Sequence, residues 1–544
     1  MNKFIFVSGG VCSSLGKGVA ASSLGALLEC RGLNVCMVKC DPYINVDAGT
    51  MSPFQHGEVY VTDDGAETDL DLGNYARFTS SPLSRANSIT TGQVYEAVIR
   101  KEREGRFLGR TVQVIPHITD EIKSRITAVA RETPDTDVVI VEIGGTVGDI
   151  ESIPFLEAAR QMIHECGRSN ALSVHLTLIP EVAGGELKTK PTQHSVKAMQ
   201  EMGIQPDILI CRAPDMLDDA NRRKIALFCN VESDAVFTSY HVDTTIYEIP
   251  LIFFNQKLDL VALRKLGIES RHADLDAWQS VMDRLRAPQG NVRIGLVGKY
   301  TELHDAYKSV YEALFHAGLE NGVTVELVKI DSSILEEPSG EEGALDGYKV
   351  DGLLIPGGFG QRGIYGMVNA ARWARKAKTP YFGICLGMQI MVIEWGRDVL
   401  GWADADSTEF NRDTGHPVIS LLEEQEDVVN YGGTMRLGKS ESVLEPDTLI
   451  FAAYGGLRIF ERHRHRYEFS NAYREEMTES GLKLAAFTPD GLLVECVQWP
   501  DHPWGLGVQF HPEYKSKPTA AHPLFRDFIA AAKARMEGVN ANAE

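Results

Sequence analysis

Hydrophobic positions along the chain fall into short apolar runs separated by longer stretches of helical periodicity. Phe4–Val7 and Asn34–Val38 read as strands on either side of a helix over Leu15–Arg31, and Asp137–Glu142 and Asp207–Cys211 repeat the short apolar pattern beside helical segments. This alternation predicts an α/β chain with a parallel sheet covered on both faces by helices. From Leu266 to Gly290 the pattern loosens into charged, amphipathic sequence ending in Ala-Pro-Gln-Gly. A new strand–helix rhythm begins at Val292–Val297, continues at Thr324–Lys329, Gly352–Ile355 and Tyr381–Ile384, and runs to about Ala532. The predicted organisation is a first domain over 1–266, a linker over 267–290, a second α/β domain over 291–537 and a disordered tail over 538–544.

A chain of 544 residues exceeds the size at which one hydrophobic core stops growing, in keeping with two domains. With 44% hydrophobic and 24% charged residues the composition is that of a globular protein. The net charge of −21 disfavours nucleic acid and anionic membranes as general partners. Any phosphate site must then be built locally from a few lysines and backbone N–H groups. No apolar run approaches the roughly 20 residues that span a bilayer, and the N-terminal run stops at Ser8-Gly9-Gly10, too short for a signal peptide core. A cytoplasmic location is expected. The nine cysteines form no C-x-x-C pair or zinc spacing and read as reduced thiols.

Candidate chemistry begins just after the first strand. Ser8-Gly9-Gly10-Val11-Cys12-Ser13-Ser14-Leu15-Gly16-Lys17-Gly18-Val19 opens a helix. Glycines let successive N–H groups converge on phosphate oxygens, the helix N-terminus adds its dipole, and Lys17 supplies a cation. The spacing departs from the standard P-loop, and Gly18 stands where a Ser or Thr normally reaches Mg²⁺. Carboxylates elsewhere must hold the metal, and Asp71 and Glu142 are the candidates; a carboxylate at a strand's C-terminal end, such as Glu142, sits where α/β sheets place ligands. Lys188-Thr189-Lys190-Pro191-Thr192-Gln193 offers two cations flanked by hydroxyls and an amide, suited to a triphosphate.

The second half carries a nucleophile pattern. Gly383-Ile384-Cys385-Leu386-Gly387-Met388-Gln389 reads as strand, tight turn and helix, with sulfur at the place of the serine in a G-x-S-x-G elbow. The helix dipole and a nearby histidine favour the thiolate. Downstream, His511 and Glu513 end another strand two residues apart, supplying a base and the acid that orients it. Pro356-Gly357-Gly358-Phe359-Gly360 can bring a backbone N–H to a developing oxyanion. In Arg462-His463-Arg464-His465-Arg466-Tyr467 one arginine is expected to hold a substrate carboxylate.

Together these motifs resemble the CTP synthases over nearly the whole chain. The C-terminal half is similar to a class I glutamine amidotransferase α/β domain, and the N-terminal half to a P-loop-like parallel-sheet synthetase (amidoligase) domain through Ser8–Gly18, Lys39–Asp47, Glu67–Gly73, Val141–Glu151, Lys188–Gln193 and Lys224–Asn230. The resemblance implies a carbon–nitrogen ligase that hydrolyses glutamine and aminates UTP at the expense of ATP, through a 4-phosphorylated intermediate. It implies that Ser14, Leu15, Gly16, Lys17, Gly18 and Val19 bind ATP with Asp71 and, near the adenine, Tyr240, His241 and Val242. Asp71 and Glu142 would hold Mg²⁺. Ser13, Asp149, Ile150, Glu151, Lys188, Thr189, Lys190, Pro191, Thr192, Gln193 and Lys224 would line the site shared by UTP and CTP. Gly358, Leu386, Gly387, Met388, Gln389, Glu409 and Arg466 would hold glutamine for Cys385, His511 and Glu513. The family also implies activation by GTP through the region Gly432–Arg436, inhibition by CTP, and assembly as homotetramers, in some members as filaments.

Two other readings share part of this evidence. Another P-loop amidotransferase ligase would have the Cys385 elbow and the Gly-rich loop but lack Lys188–Gln193 together with Asp149–Glu151. A nucleotide-switched scaffold with an inert glutaminase half would have no need of an intact Cys385, His511 and Glu513.

Overall fold

A computed structural model describes residues 2–52, 56–133, 135–299, 303–336, 345–421 and 435–541. The chain divides into two compact units, one formed by Met1–Ala48 with Asp71–Met282, the other by Gly49–Leu70 with Asp283–Glu544.

The first unit is a seven-stranded sheet whose neighbours are all parallel. Its strands are β1 (Lys3–Gly9), β2 (Val35–Asp41), β3 (Ser88–Thr90), β4 (Val138–Ile143), β5 (Ala171–Leu178), β6 (Ile208–Ala213) and β7 (Val236–Tyr240), in the spatial order β7-β6-β5-β1-β4-β2-β3. The central strands are apolar because both faces are covered. The helices that position the site are α1 (Lys17–Cys30), α2 (Leu70–Phe78), α3 (Lys190–Glu201) and α4 (Asp219–Cys229). The predicted strand Asn34–Val38 runs three residues further, to Asp41. Lys39, just past the predicted end, is buried, with carboxylate partners from distant segments.

The stretch 267–290 is not a plain linker. Asp276–Arg286 forms α5, whose Trp278, Val281 and Met282 are buried, with Trp278 packed on Phe78 and Tyr247. Three apolar residues at helical spacing among charged ones make a narrow stripe, and that stripe suffices to dock a surface helix. Residues 49–70, expected in the first domain, cluster with the second unit.

The second unit holds a nine-stranded sheet: β8 (Asn291–Gly298), β9 (Thr324–Asp331), β10 (Gly352–Ile355), β11 (Tyr381–Ile384), β12 (Arg436–Leu444), β13 (Arg458–His465), β14 (Lys483–Phe487), β15 (Val494–Gln498) and β16 (Gly505–Val508). The order is β9-β8-β10-β11-β16-β15-β14-β12-β13, parallel as far as β16 and antiparallel beyond it. Helix α6 (Lys308–Asn321) packs against α8 (Pro523–Ala541), and Phe382 of β11 meets Phe525 and Phe528 of α8 edge-on and tilted. Helix α8 continues through Gly538–Ala541, where a disordered tail was expected; 542–544 lie outside the described residues.

Candidate active sites

In the first unit the turn after β1 is a tight backbone loop. Val11, Ser14 and Gly16 all have left-handed φ values, and Ser13 and Ser14 are exposed. Lys17 begins α1 and folds back over the loop, donating to the Gly145 carbonyl at 2.7 Å. Burial lowers its pKa, opposed by the charge of Glu142. Gly18 follows, and a Cβ there would lie 2.6 Å from Asp71 Oδ1. The bare helix start lets the Asp71 carboxylate occupy the space that a Ser or Thr side chain would need. The departure from the P-loop pattern and the presence of Asp71 are therefore one feature.

Asp71, Glu142 and Asp41 converge on the Lys39 ammonium. It is bonded to Asp71, 3.0 Å from Glu142 and 3.7 Å from Asp41. Glu142 also accepts from the Tyr75 hydroxyl. Two converging carboxylates next to a phosphate loop fit Mg²⁺, which takes one or two protein carboxylates and completes its shell with water and phosphate. Among the described residues no group of three or more His, Cys, Asp or Glu is arranged to hold a metal by itself.

The predicted triphosphate grip starts α3. Thr189, Thr192 and Gln193 are buried: Thr192 accepts from Thr177 at 2.7 Å and donates to the Leu178 carbonyl, and Gln193 bonds Thr189. Lys190 is exposed and Lys188 half-buried, with Lys188 2.6 Å from Glu186. Lys224, exposed on α4, also acts on Glu186, so the three predicted cations share one region. Asp149, Ile150 and Glu151 form an exposed turn, and no side chain caps the helix starts at Asp149 or Ser152. Tyr240 ends the edge strand β7, leaving His241 exposed.

In the second unit Cys385 sits between β11 and α7 (Leu386–Asp398) with φ 52° and ψ −99°, a strained backbone held by its neighbours. The flanking glycines are required. A Cβ on Gly387 would overlap the Ile355 carbonyl, and one on Gly383 would lie 2.5 Å from the Gly387 backbone. Cys385 N donates to Val508 O at 2.7 Å, which ties the elbow to the strand that delivers the base. His511 Nδ1 bonds Glu513 at 2.7 Å, leaving its other ring nitrogen for Cys385. Burial works against the imidazolium, but Glu513 and Cys385 outweigh it and raise the His511 pKa to about 10.

A cavity of about 270 Å³ opens onto Cys385 and His511, bordered by Gly357–Phe359 and Arg464. Gly49, Met51, Glu58 and Val59 also line it, so the segment 49–70 supplies one wall. The predicted glutamine residues surround the same elbow. Gly358 packs by Leu386, Gln389 bonds the Tyr467 carbonyl, and Glu409 accepts from Gly360 N at 2.8 Å. Glu409 is raised by burial, with Lys299 and Arg466 favouring its charge.

The arginine-histidine run is a strand with two faces: Arg462 and Arg464 bond Asp63 and Glu67, while His463 and His465 are buried. Of the predicted GTP region, 432–434 lie outside the described residues, and Arg436 is bound to Glu495 at 2.6 Å and Glu468 at 3.4 Å.

Sequence reasoning missed two lysines. Lys39 gave one signal, a charge inside a strand run. Lys299, directly after β8, is buried and donates to the carbonyls of Phe359 and Gly360, bracing the Gly-rich turn; burial lowers its pKa to about 8.

A cysteine elbow with a His–Glu pair on one α/β unit and a Gly-rich loop with its lysine on another match the class of glutamine-hydrolysing ligases. The model of the CTP synthase N-terminus matches residues 3–268, and that of class I glutamine amidotransferases matches 302–531. The chain is 56% identical to CTP synthase of Acidobacterium capsulatum over 531 residues (97% of this chain, 95% of the relative) and 56% identical to that of Geobacter sulfurreducens over 537 residues (98% and 99%). CTP synthase of Geotalea uraniireducens is 57% identical over 532 residues (97% and 98%). A solved Trypanosoma brucei CTPS glutaminase domain with bound acivicin aligns at 38% identity and TM-score 0.43, covering 45% of this chain and 94% of that one. The chain belongs to the CTP synthase family. It aminates UTP to CTP with nitrogen from glutamine, using ATP.

Proposed function

We propose that the two sites divide this reaction between them: Cys385, His511 and Glu513 release ammonia from glutamine, and the Lys17 loop activates UTP. The Cys385 thiolate attacks the glutamine amide, His511 hands its proton to the departing ammonia, and Glu513 orients the imidazole. Leu386–Gln389, Gly358, Glu409 and Arg466 hold the glutamine. One N–H of the Gly357–Phe359 part of the turn and that of Leu386 receive the oxyanion.

In the first unit Ser14–Val19 hold the ATP phosphates, with Tyr240–Val242 near the adenine. Asp71 and Glu142 would hold Mg²⁺, which would supply charge neutralisation for the phosphates there. UTP O4 is a poor leaving group; it takes the γ-phosphoryl group, ammonia then attacks C4, and phosphate departs. Phosphoryl transfer needs positioning and charge neutralisation more than covalent help, which suits Lys17. Ser13, Lys188–Gln193 and Lys224 grip the triphosphate shared by UTP and CTP, and Asp149–Glu151 receive the CTP base. GTP activation, feedback inhibition by CTP, a homotetramer with possible filaments, and a cytoplasmic location complete the proposal. Among the described residues no helix is long and apolar enough to cross a membrane.

The observation that carries this reading is the fit between Gly18 and Asp71, which makes room for a carboxylate where a P-loop has a hydroxyl. The test is nucleotide product analysis with UTP, ATP, Mg²⁺ and either glutamine or ammonia. CTP from both nitrogen sources is expected; a product other than CTP, or none with ammonia, would refute the assignment.

A further inference from the structure

One fully buried histidine of the first unit belongs to none of the roles above. His175 lies on β5 beside Ser8, its register partner on β1. Its Nδ1 is 2.9 Å from Ser8 Oγ, and its Nε2 is 2.8 Å from Ser195 Oγ on α3. Ser8 Oγ also reaches Met199 Sδ at 3.7 Å. With the ring proton on Nδ1, every polar hydrogen has an acceptor: Ser195 donates to Nε2, Nδ1–H to Ser8, and Ser8 to the Met199 sulfur. Burial and the nearby charge of Lys17 hold the His175 pKa down at about 3, so the ring is neutral and keeps one donor and one acceptor.

The two serines stand at the roots of different sites. Ser8 is the penultimate residue of β1, just before the Gly-rich loop, and Ser195 lies in the second turn of the helix that opens with Lys190. Loop and helix touch directly over the histidine. A Cβ on Gly10 would overlap Ser195 Oγ and lie 3.1 Å from His175 Nε2. The Gly10 N–H is bonded to the Leu176 carbonyl, one residue along β5. A rigid, two-ended imidazole at this point sets the position of α3 relative to the loop.

We propose that His175 is a positioning residue that fixes the spacing between the ATP loop and the UTP triphosphate grip, acting through Ser8 and Ser195. The proposal rests on the assignment of those two segments to ATP and UTP. Phosphoryl transfer between two bound nucleotides is sensitive to their separation, so a strut here acts on both sites at once. A residue serving only the core would change stability without a matched change in the two nucleotide sites.

The test uses the full chain and three variants: His175→Phe, which keeps a ring but no hydrogen bonds, His175→Gln, which keeps both ends, and Ser195→Ala. Equilibrium binding of UTP and of a non-hydrolysable ATP analogue, and KM values for ATP and UTP with ammonia, are measured beside thermal unfolding and glutaminase activity. His175→Phe should weaken both nucleotides about tenfold, the worth of one buried hydrogen bond, with glutaminase unchanged. His175→Gln should recover most of the loss, and adding Ser195→Ala to His175→Phe should cost little more, because the pair acts as a unit. Folded His175→Phe enzyme with unchanged affinity for both nucleotides, or additive losses in the double variant, would overturn the strut. Wild-type protein that binds both nucleotides yet forms no CTP would overturn the functional reading instead, and the strut would still stand or fall on the binding constants.

Discussion

Replacing Glu513 by Gln keeps the shape of the His511 partner and removes its charge. In the wild-type site the imidazolium is stabilised by a carboxylate at 2.7 Å and by Cys385, enough to overcome burial and move the His511 pKa from 6.5 to about 10. An opposite charge at such a distance shifts a pKa by about 1–3 units, and each unit is worth about 1.4 kcal/mol of preference for the charged ring. A group whose pKa is raised keeps its proton below that pKa and loses it as the pH climbs through it. The cysteine–imidazolium pair should therefore support glutamine hydrolysis from neutral pH up to about pH 10 in the wild type. In Glu513→Gln the alkaline limb should fall by about 1–3 pH units, with kcat/KM near neutrality also reduced. The assay is glutamate release, with kcat/KM recorded from pH 6 to 10.5, and the limb is assigned to the pair rather than to one residue. An alkaline limb that stays in place in a folded Glu513→Gln enzyme would refute the argument that this carboxylate holds the proton on His511.

Cys385→Ala should abolish CTP formation from glutamine while ammonia-dependent synthesis continues; loss of both in folded protein would sink the division of labour. Gly18→Ala places a methyl group 2.6 Å from Asp71 Oδ1, so the carboxylate must swing away. Ammonia-dependent synthesis should then need roughly tenfold more Mg²⁺, about the cost of one displaced charge-assisted contact, and an unchanged Mg²⁺ activation curve would count against Asp71 as a ligand. Glu151→Lys should weaken CTP inhibition strongly and change the UTP KM little, since the Glu151 turn is exposed and caps no helix. Parallel losses of UTP and CTP affinity, read from inhibition constants beside UTP saturation curves, would mean the two bases share a pocket.

The parts of the molecule legible in the sequence are those whose cause is local. The elbow at Cys385 announces itself because Gly383 and Gly387 are forced by contacts within a few residues and by one strand neighbour. The loop before α1 is equally local, and both stand where they were expected. Lys39 was not legible as a site residue, because its partners lie 32 and 103 residues away and periodicity carries no trace of them. The segment 49–70 lies within the matched N-terminal region yet clusters with the second unit, for the same reason. Its hairpin of Tyr60–Val61 with Glu67–Thr68 is tied to the second unit by Arg462 and Arg464 at separations near 400 residues. The partners of Arg436 were equally illegible: Glu495 lies on β15, in the antiparallel half of the sheet, and Glu468 on a short strand outside that sheet.

The arrangement around Lys39 also explains how an acidic cluster survives in the core of the first unit. Asp41 and Glu142 are buried, and Asp71 lies against both the start of α1 and the same ammonium. Three carboxylates this close, desolvated and unpaired, would protonate rather than remain charged. Burial pushes the Asp71 pKa up, but Lys39, aided by Lys17, more than reverses this and keeps the carboxylate ionised. The same two lysines act on each other, so the charge of Lys39 helps to depress that of Lys17. Lys39 thus keeps Asp71 ionised and adds to the lowering of the Lys17 pKa, of which burial is the larger cause. The pairing sets an ionised Asp71 carboxylate beside Lys17 and Lys39 at the start of α1.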